Sequence, residues 1–169
     1  MLENNLSISY HKTKKNAKIY TILIILIMKI KLNGLNKLKI NIKKWDIIFL
    51  YWDLWAGKTT LTSYFINEIL KIDEKIKSPT YIHYKKYLDN VYHFDLYKLE
   101  SYDEFVNIGW EEILDNKDNI SFIEWPELIE NVYSPTYKIY ITKGNTEDER
   151  EILSFRVSSV ISSANEKSL

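Results

Sequence analysis

The apolar and polar positions alternate between two kinds of segment from Asp46 onward. Ile47-Ile48-Phe49-Leu50 is a continuous apolar run, the pattern of a strand buried on both faces. Leu61, Tyr64, Phe65, Ile69 and Ile72 then recur at helical spacing and predict one amphipathic helix. Lys77-Ser78-Pro79-Thr80 breaks the pattern, and tyrosine-rich strands are expected at 81–87 and 91–95. Ser101-Tyr102-Asp103-Glu104 has the spacing of a capping box and should open a short helix ending near Gly109. Ile120-Ser121-Phe122-Ile123 is a second buried-strand candidate, stopped by Pro126. Residues 137–141 and 152–157 alternate like strands, with Gly144-Asn145 as the turn between them. Strands alternating with helices imply an α/β fold.

The N-terminal part reads differently. Lys12, Lys14, Lys15 and Lys18 precede a ten-residue apolar run, Ile19 to Met28. A membrane span needs about 20 residues, so no membrane association is expected. A secretory signal would need a small-residue cleavage site, whereas Lys29-Ile30-Lys31 follows. A buried strand and a misassigned start, with Met28 the true first residue, are the other readings. The expected organisation is an extension over 1–27 and one domain over 28–169.

The chemistry concentrates in Trp52-Asp53-Leu54-Trp55-Ala56-Gly57-Lys58-Thr59-Thr60, between the strand at 47–50 and the helix. Strand, loop and helix in that order are the setting of a phosphate-binding loop. Gly57 would let the backbone turn around phosphate oxygens, and Lys58 would place an ammonium on the β- and γ-phosphates. Thr59 would offer a hydroxyl to Mg²⁺, and the helix start would add oriented N–H groups. Glu124 and Asp95 each end a strand candidate, where a carboxylate can hold a metal or orient water. Ser78-Pro79-Thr80 could sense the γ-phosphate or be a plain turn. His93 and Trp125 carry little signal of their own; aromatics beside strand ends are more often packing than chemistry.

Together these segments resemble the TsaE family, small P-loop ATPases of bacterial tRNA threonylcarbamoyladenosine synthesis. The resemblance runs from Asp53-Leu54 and Ala56-Gly57-Lys58-Thr59-Thr60 through Lys77-Ser78-Pro79-Thr80-Tyr81. It continues in Tyr92-His93-Phe94-Asp95-Leu96-Tyr97-Lys98-Leu99 and Ile123-Glu124-Trp125-Pro126-Glu127, and covers about residues 45–165. It implies a P-loop NTPase-like three-layer fold, with a mixed, mostly parallel central sheet flanked by helices. It also implies ATP cradled by Asp53, Leu54, Trp55, Ala56, Gly57, Lys58, Thr59 and Thr60, with Mg²⁺ on Thr59 and Glu124. Asp95 and Trp125 are then needed for activity beside Lys58 and Glu124. The implied partners are TsaB and TsaD, the latter transferring the threonylcarbamoyl group, with tRNA reached through them in the cytoplasm.

Composition changes the picture in one respect. Asp plus Glu and Lys plus Arg are 23 each, so no global field draws in nucleic acid, and the absence of Cys excludes thiol chemistry. Arg occurs only at 150 and 156, and Ile, Asn and Tyr are abundant, as an AT-rich coding sequence would give. Such a sequence should be poor in Gly and in Trp, yet there are 5 Trp against 4 Gly. Trp45, Trp52 and Trp55 stand where the resembled family has Gly. Bulky residues at loop positions needing positive φ would be outliers and would fill phosphate space, so the chain as written should bind ATP poorly. One cause accounts for all three: UGA codons meant as Gly and rendered as Trp. The competing readings are a non-hydrolysing scaffold with a decayed loop and a small-molecule kinase, the latter disfavoured by the shortage of Arg.

Overall fold

The computed structural model describes residues 20–38, 40–52, 57–79, 83–147 and 149–159. Its centre is a seven-stranded sheet in the order β1-β7-β6-β2-β5-β4-β3. The strands are β1 (Tyr20–Lys31), β2 (Ile47–Trp52), β3 (Tyr84–Tyr87), β4 (Val91–Asp95), β5 (Ile120–Glu124), β6 (Tyr137–Lys143) and β7 (Glu149–Ser159). The inner four, β6-β2-β5-β4, run parallel, and antiparallel strands are added at both sides.

Side-chain alternation along β2 explains the three layers. Ile48, Leu50 and Trp52 face one core; Ile47, Phe49 and Tyr51 face the other. The first core is closed by helix α1 (Lys58–Ser63), which continues as a π-helical segment over Tyr64–Ile69, and by a 3₁₀ turn at Leu32–Lys37. Leu61, Phe65 and Ile66 are fully buried there, and Phe65 stacks on Phe122 of β5 with ring centroids 5.7 Å apart. Complete burial of each such side chain stabilises the fold by about 1.5–3 kcal/mol. The second core is closed by α2 (Tyr102–Asn107) and α3 (Trp110–Asp115), through Phe105, Trp110 and Leu114.

The expected helix differs in one detail. A uniform 3.6-residue period places Tyr64 and Ile69 on the apolar face, but both are only partly buried and Ile66 takes the core position. The wider π turn, with Leu70 N–H bonded to Phe65 O at 3.0 Å, rotates the face there. Ser101 caps α2 as expected, its hydroxyl accepting from Glu104 N at 3.2 Å. Helix α3 has no counterpart in the sequence reading; it starts at Gly109, whose φ of 84° is the left-handed turn separating it from α2.

The apolar run at 19–28 falls mostly in β1. Tyr20 to Lys31 pairs antiparallel with Ser159 to Glu149, so Met28 lies inside a strand. The expected turn at Gly144-Asn145 follows the end of β6, and Gly144 N–H donates to Glu149 O at 2.8 Å. A Cβ on Gly144 would meet the Glu149 side chain at 2.6 Å, so a larger residue would force that side chain away. Among the described residues no helix is long and apolar enough to cross a membrane.

Candidate nucleotide site

Three parallel strands, β2, β5 and β4, lie side by side and end on the same edge. In open α/β sheets that carboxyl edge is where ligands gather. The chain leaves β2 at Trp52 and enters α1 at Gly57, which adopts φ 93°, ψ 33°. Glycine takes this left-handed conformation without a Cβ clash. Gly57 has no side chain with which to cap the helix start. The earliest helical bonds run from Thr60 N–H and Leu61 N–H to Gly57 O, at 3.1 and 3.2 Å. The amides of Lys58 and Thr59 therefore precede the first intrahelical bond and can donate outward. Thr59 is half-buried and Thr60 exposed. Asp53, Leu54, Trp55 and Ala56 lie outside the described residues, as does Thr80 of the expected switch, and Lys58 is described by its backbone alone.

The two carboxylates come together. Asp95 and Glu124 are register partners across β4 and β5, and both are buried. Alternation puts them on the α1 face: Val91 and Phe122 belong to the core under α1, Phe94 and Ile123 to the opposite one. Asp95 Oδ1 accepts from Tyr97 N–H at 3.1 Å, which turns the chain after the strand. Leu96 N–H continues the ladder to Glu124 O at 3.0 Å. Glu124 Oε1 is 2.8 Å from His93 Nε2, with both side chains fully buried. In the sequence His93 carries little signal of its own. Its position two residues before Asp95 on one strand was the available signal, because it puts both on one face. Tyr87 lies in the same core, and burial raises its phenol pKa.

Trp125 follows Glu124 with φ 57°, left-handed for a non-glycine residue, and its ring centroid is 5.0 Å from that of Tyr97. Such backbone outliers cluster at functional sites, and here one aims the chain away from the strand end. Trp52 departs from expectation. It is the last residue of β2, in register with Ile141, and has no positive φ. It is buried in the core under α1, and its indole Nε1 finds no partner among the described residues. The misfit at 52 is therefore an unsatisfied donor, not backbone strain. Strain is found at Trp45, whose φ is 69° in the turn before β2 and which is 52% exposed.

The donor set suits a hard divalent cation: hydroxyl and carboxylate oxygens from separate elements at one sheet edge. Among the described residues no three His, Asp or Glu side chains converge on one point. A metal there would complete its shell with nucleotide and water oxygens, the usual arrangement for Mg²⁺.

A family model described as threonylcarbamoyl adenosine biosynthesis protein TsaE matches residues 31–152. Among curated proteins, a tRNA threonylcarbamoyladenosine biosynthesis protein TsaE of Rickettsia felis is 34% identical over 134 residues, covering 76% of this chain and 72% of its own. The Bacillus subtilis protein of the same name is 37% identical over 113 residues, covering 65% and 69%. The solved structure of Bacillus subtilis YdiB superposes with a TM-score of 0.59 at 28% identity, covering 79% of this chain and 86% of that one.

Proposed function

The chain belongs to the TsaE family, and from that premise we propose that it is the ATP-binding and ATP-hydrolysing subunit of tRNA threonylcarbamoyladenosine synthesis, acting with TsaB and TsaD. The observation that carries this reading is the shared sheet edge. Gly57 opens a helix beside two buried carboxylates, Asp95 and Glu124, at the ends of parallel strands.

Each residue then has a task. The Lys58 and Thr59 amides and the Lys58 ammonium hold phosphate oxygens, and residues 53–56 complete the cradle with Thr60. Thr59 and Glu124 hold Mg²⁺, which when bound neutralises charge on the β- and γ-phosphates. Asp95 orients the attacking water, in an edge where a preorganised carboxylate acts more strongly than in bulk solvent. Trp125, with its ring against Tyr97 just past the end of β5, is needed for activity beside these residues. The balanced charge of the chain leaves tRNA contact to TsaB and TsaD, in the cytoplasm.

The kinase reading loses support from the placement of Arg. Arg150 and Arg156 both lie on β7, two strands away from β2, and Arg150 is buried with its guanidinium on the Glu147 and Glu149 carbonyls. The scaffold reading has one specific observation in its favour, the burial of Trp52 where the phosphate loop begins. One experiment separates the readings. Nucleotide affinity and phosphate release are measured with and without Mg²⁺, for the chain as written and for the Trp45→Gly/Trp52→Gly/Trp55→Gly chain. Mg²⁺-dependent binding and release of free phosphate by the substituted chain are expected. Assembly with TsaB and TsaD but no nucleotide binding in either form would favour the scaffold.

A further inference from the structure

We infer that His93 is a positioning residue for the metal-facing carboxylate of Glu124, an inference that rests on the nucleotide-site reading above. His93 sits in the middle of β4, between Val91 and Asp95 on the face packed by α1. The place is fully buried, and a branched apolar side chain would suit it better on packing grounds alone. Instead an imidazole spans to the neighbouring strand and meets Glu124 Oε1 at 2.8 Å.

The other ring nitrogen, Nδ1, is buried and has no hydrogen-bond partner among the described residues. A buried N–H without an acceptor costs more than a buried lone pair without a donor. The proton therefore belongs on Nε2, which donates to Glu124 and leaves Nδ1 bare. The carboxylate is thereby restrained in rotation, with Oε1 tied to the imidazole while the buried Oε2 makes no hydrogen bond among the described residues. Outer partners of this kind set the orientation and basicity of metal-binding carboxylates, and losing one typically costs about 10–100-fold in metal affinity. Asp95 accepts from the Tyr97 amide at 3.1 Å.

The test uses the full chain in two ways. Imidazole ¹⁵N spectra of the chain as written should show His93 as the Nε2-protonated tautomer, its proton slow to exchange and its shift moved by Glu124→Gln. In the glycine-substituted chain, His93→Leu should raise the Mg²⁺ concentration needed for tight nucleotide binding by roughly 10–100-fold. Nucleotide affinity in chelator should stay close to that of the parent, while the thermal midpoint should fall as Glu124 loses its buried donor. His93→Gln, which can present an N–H donor near the Nε2 position, should recover most of the Mg²⁺ response. If His93→Leu does not fold, His93→Asn, whose amide is too short to reach Oε1, replaces it. An unchanged Mg²⁺ response in the donorless variant, an Nδ1-protonated ring, or equal losses in the Leu and Gln variants would overturn the inference while leaving the ATPase reading intact. Failure of the glycine-substituted parent to bind nucleotide at all would overturn that reading, and with it the role of His93.

Discussion

Asp95 and Glu124 are direct register partners on adjacent parallel strands, both buried and both facing the helix that follows the phosphate loop. Two acids placed so closely divide their work if one holds the metal and the other water. In the glycine-substituted chain, Glu124→Gln and Asp95→Asn should each lower ATP hydrolysis by about 10²-fold or more. Only the Glu124 variant should also need more Mg²⁺ to bind nucleotide. Steady-state phosphate release across a Mg²⁺ series checks this. Near-normal hydrolysis in Glu124→Gln would transfer the metal-holding role to Asp95.

Trp45→Gly should stabilise the protein. The left-handed backbone at 45 costs a residue with a Cβ about 1–2 kcal/mol. The ring, half exposed, recovers little of that by packing, and the Lys117 ammonium lies 4.8 Å from its centroid. Glycine also has the larger entropy loss on folding, so the net gain should be a few tenths to about 1 kcal/mol. Urea unfolding of the two forms measures it, and a lower midpoint in the glycine form would contradict the reading.

Trp52→Gly together with Trp55→Gly should strengthen nucleotide binding in a chain expected to bind ATP poorly as written. The first substitution removes a large ring and an unsatisfied N–H from the mouth of the loop, at some cost in core packing. The thermal midpoint without ligand should therefore fall, and Mg²⁺·ATP should raise it again. Calorimetric titration decides the point, and the codons at 45, 52 and 55 give an independent one: UGA is expected at all three, and UGG would favour a loop that has lost its function.

Tyr51 gives a pH prediction. Its pKa lies well above the ordinary 10.0, first because of burial and then because its hydroxyl donates to Glu130 Oε2 at 2.8 Å. A tyrosine whose folded pKa is raised contributes its stability below pH 10, where both states are protonated at this group. Above that, the unfolded chain loses the proton and the folded chain keeps it, so stability falls as pH rises. Unfolding free energy measured between pH 8 and 11 should decline, more gently in Tyr51→Phe than in the parent. At neutral pH the same variant should lose about 1 kcal/mol from the missing hydrogen bond.

A chain beginning at Met28 should retain nucleotide binding in the glycine-substituted form, because the proposed nucleotide edge is built on β2, β4 and β5. Residues Leu153–Ser159 of β7 would lose their β1 partners, so solubility rather than binding should suffer. Loss of both would place β1 among the elements the domain needs.

Much of this architecture was legible because central strands buried on both faces must be apolar throughout, as at Ile47–Leu50 and Ile120–Ile123. The same rule hides other features. An apolar run such as Ile19–Met28 has no period, so it could not be told from a signal segment until its pairing with β7 was known. Helix α3 escaped because Gly109 looks like an end and is also a beginning. His93 escaped because a strand histidine announces nothing until the neighbouring strand brings Glu124 to it. The backbone at Trp52 was misjudged because the strand runs on to that residue, while the positive φ belongs to Trp45.

The pairing of β1 with β7 also bears on how the protein is made. Tyr20 finds its strand partner at Ser159, so β1 must wait for its ladder until β7 has been made. During that interval an apolar strand stands with an open ladder beside the ribosome, the kind of segment other chains can pair with. The parallel centre, β2 with β5 and β4, can assemble earlier, before β6 and β7 are made. Slowing translation between β1 and β7 should therefore lower the soluble yield more than the same delay placed after β7.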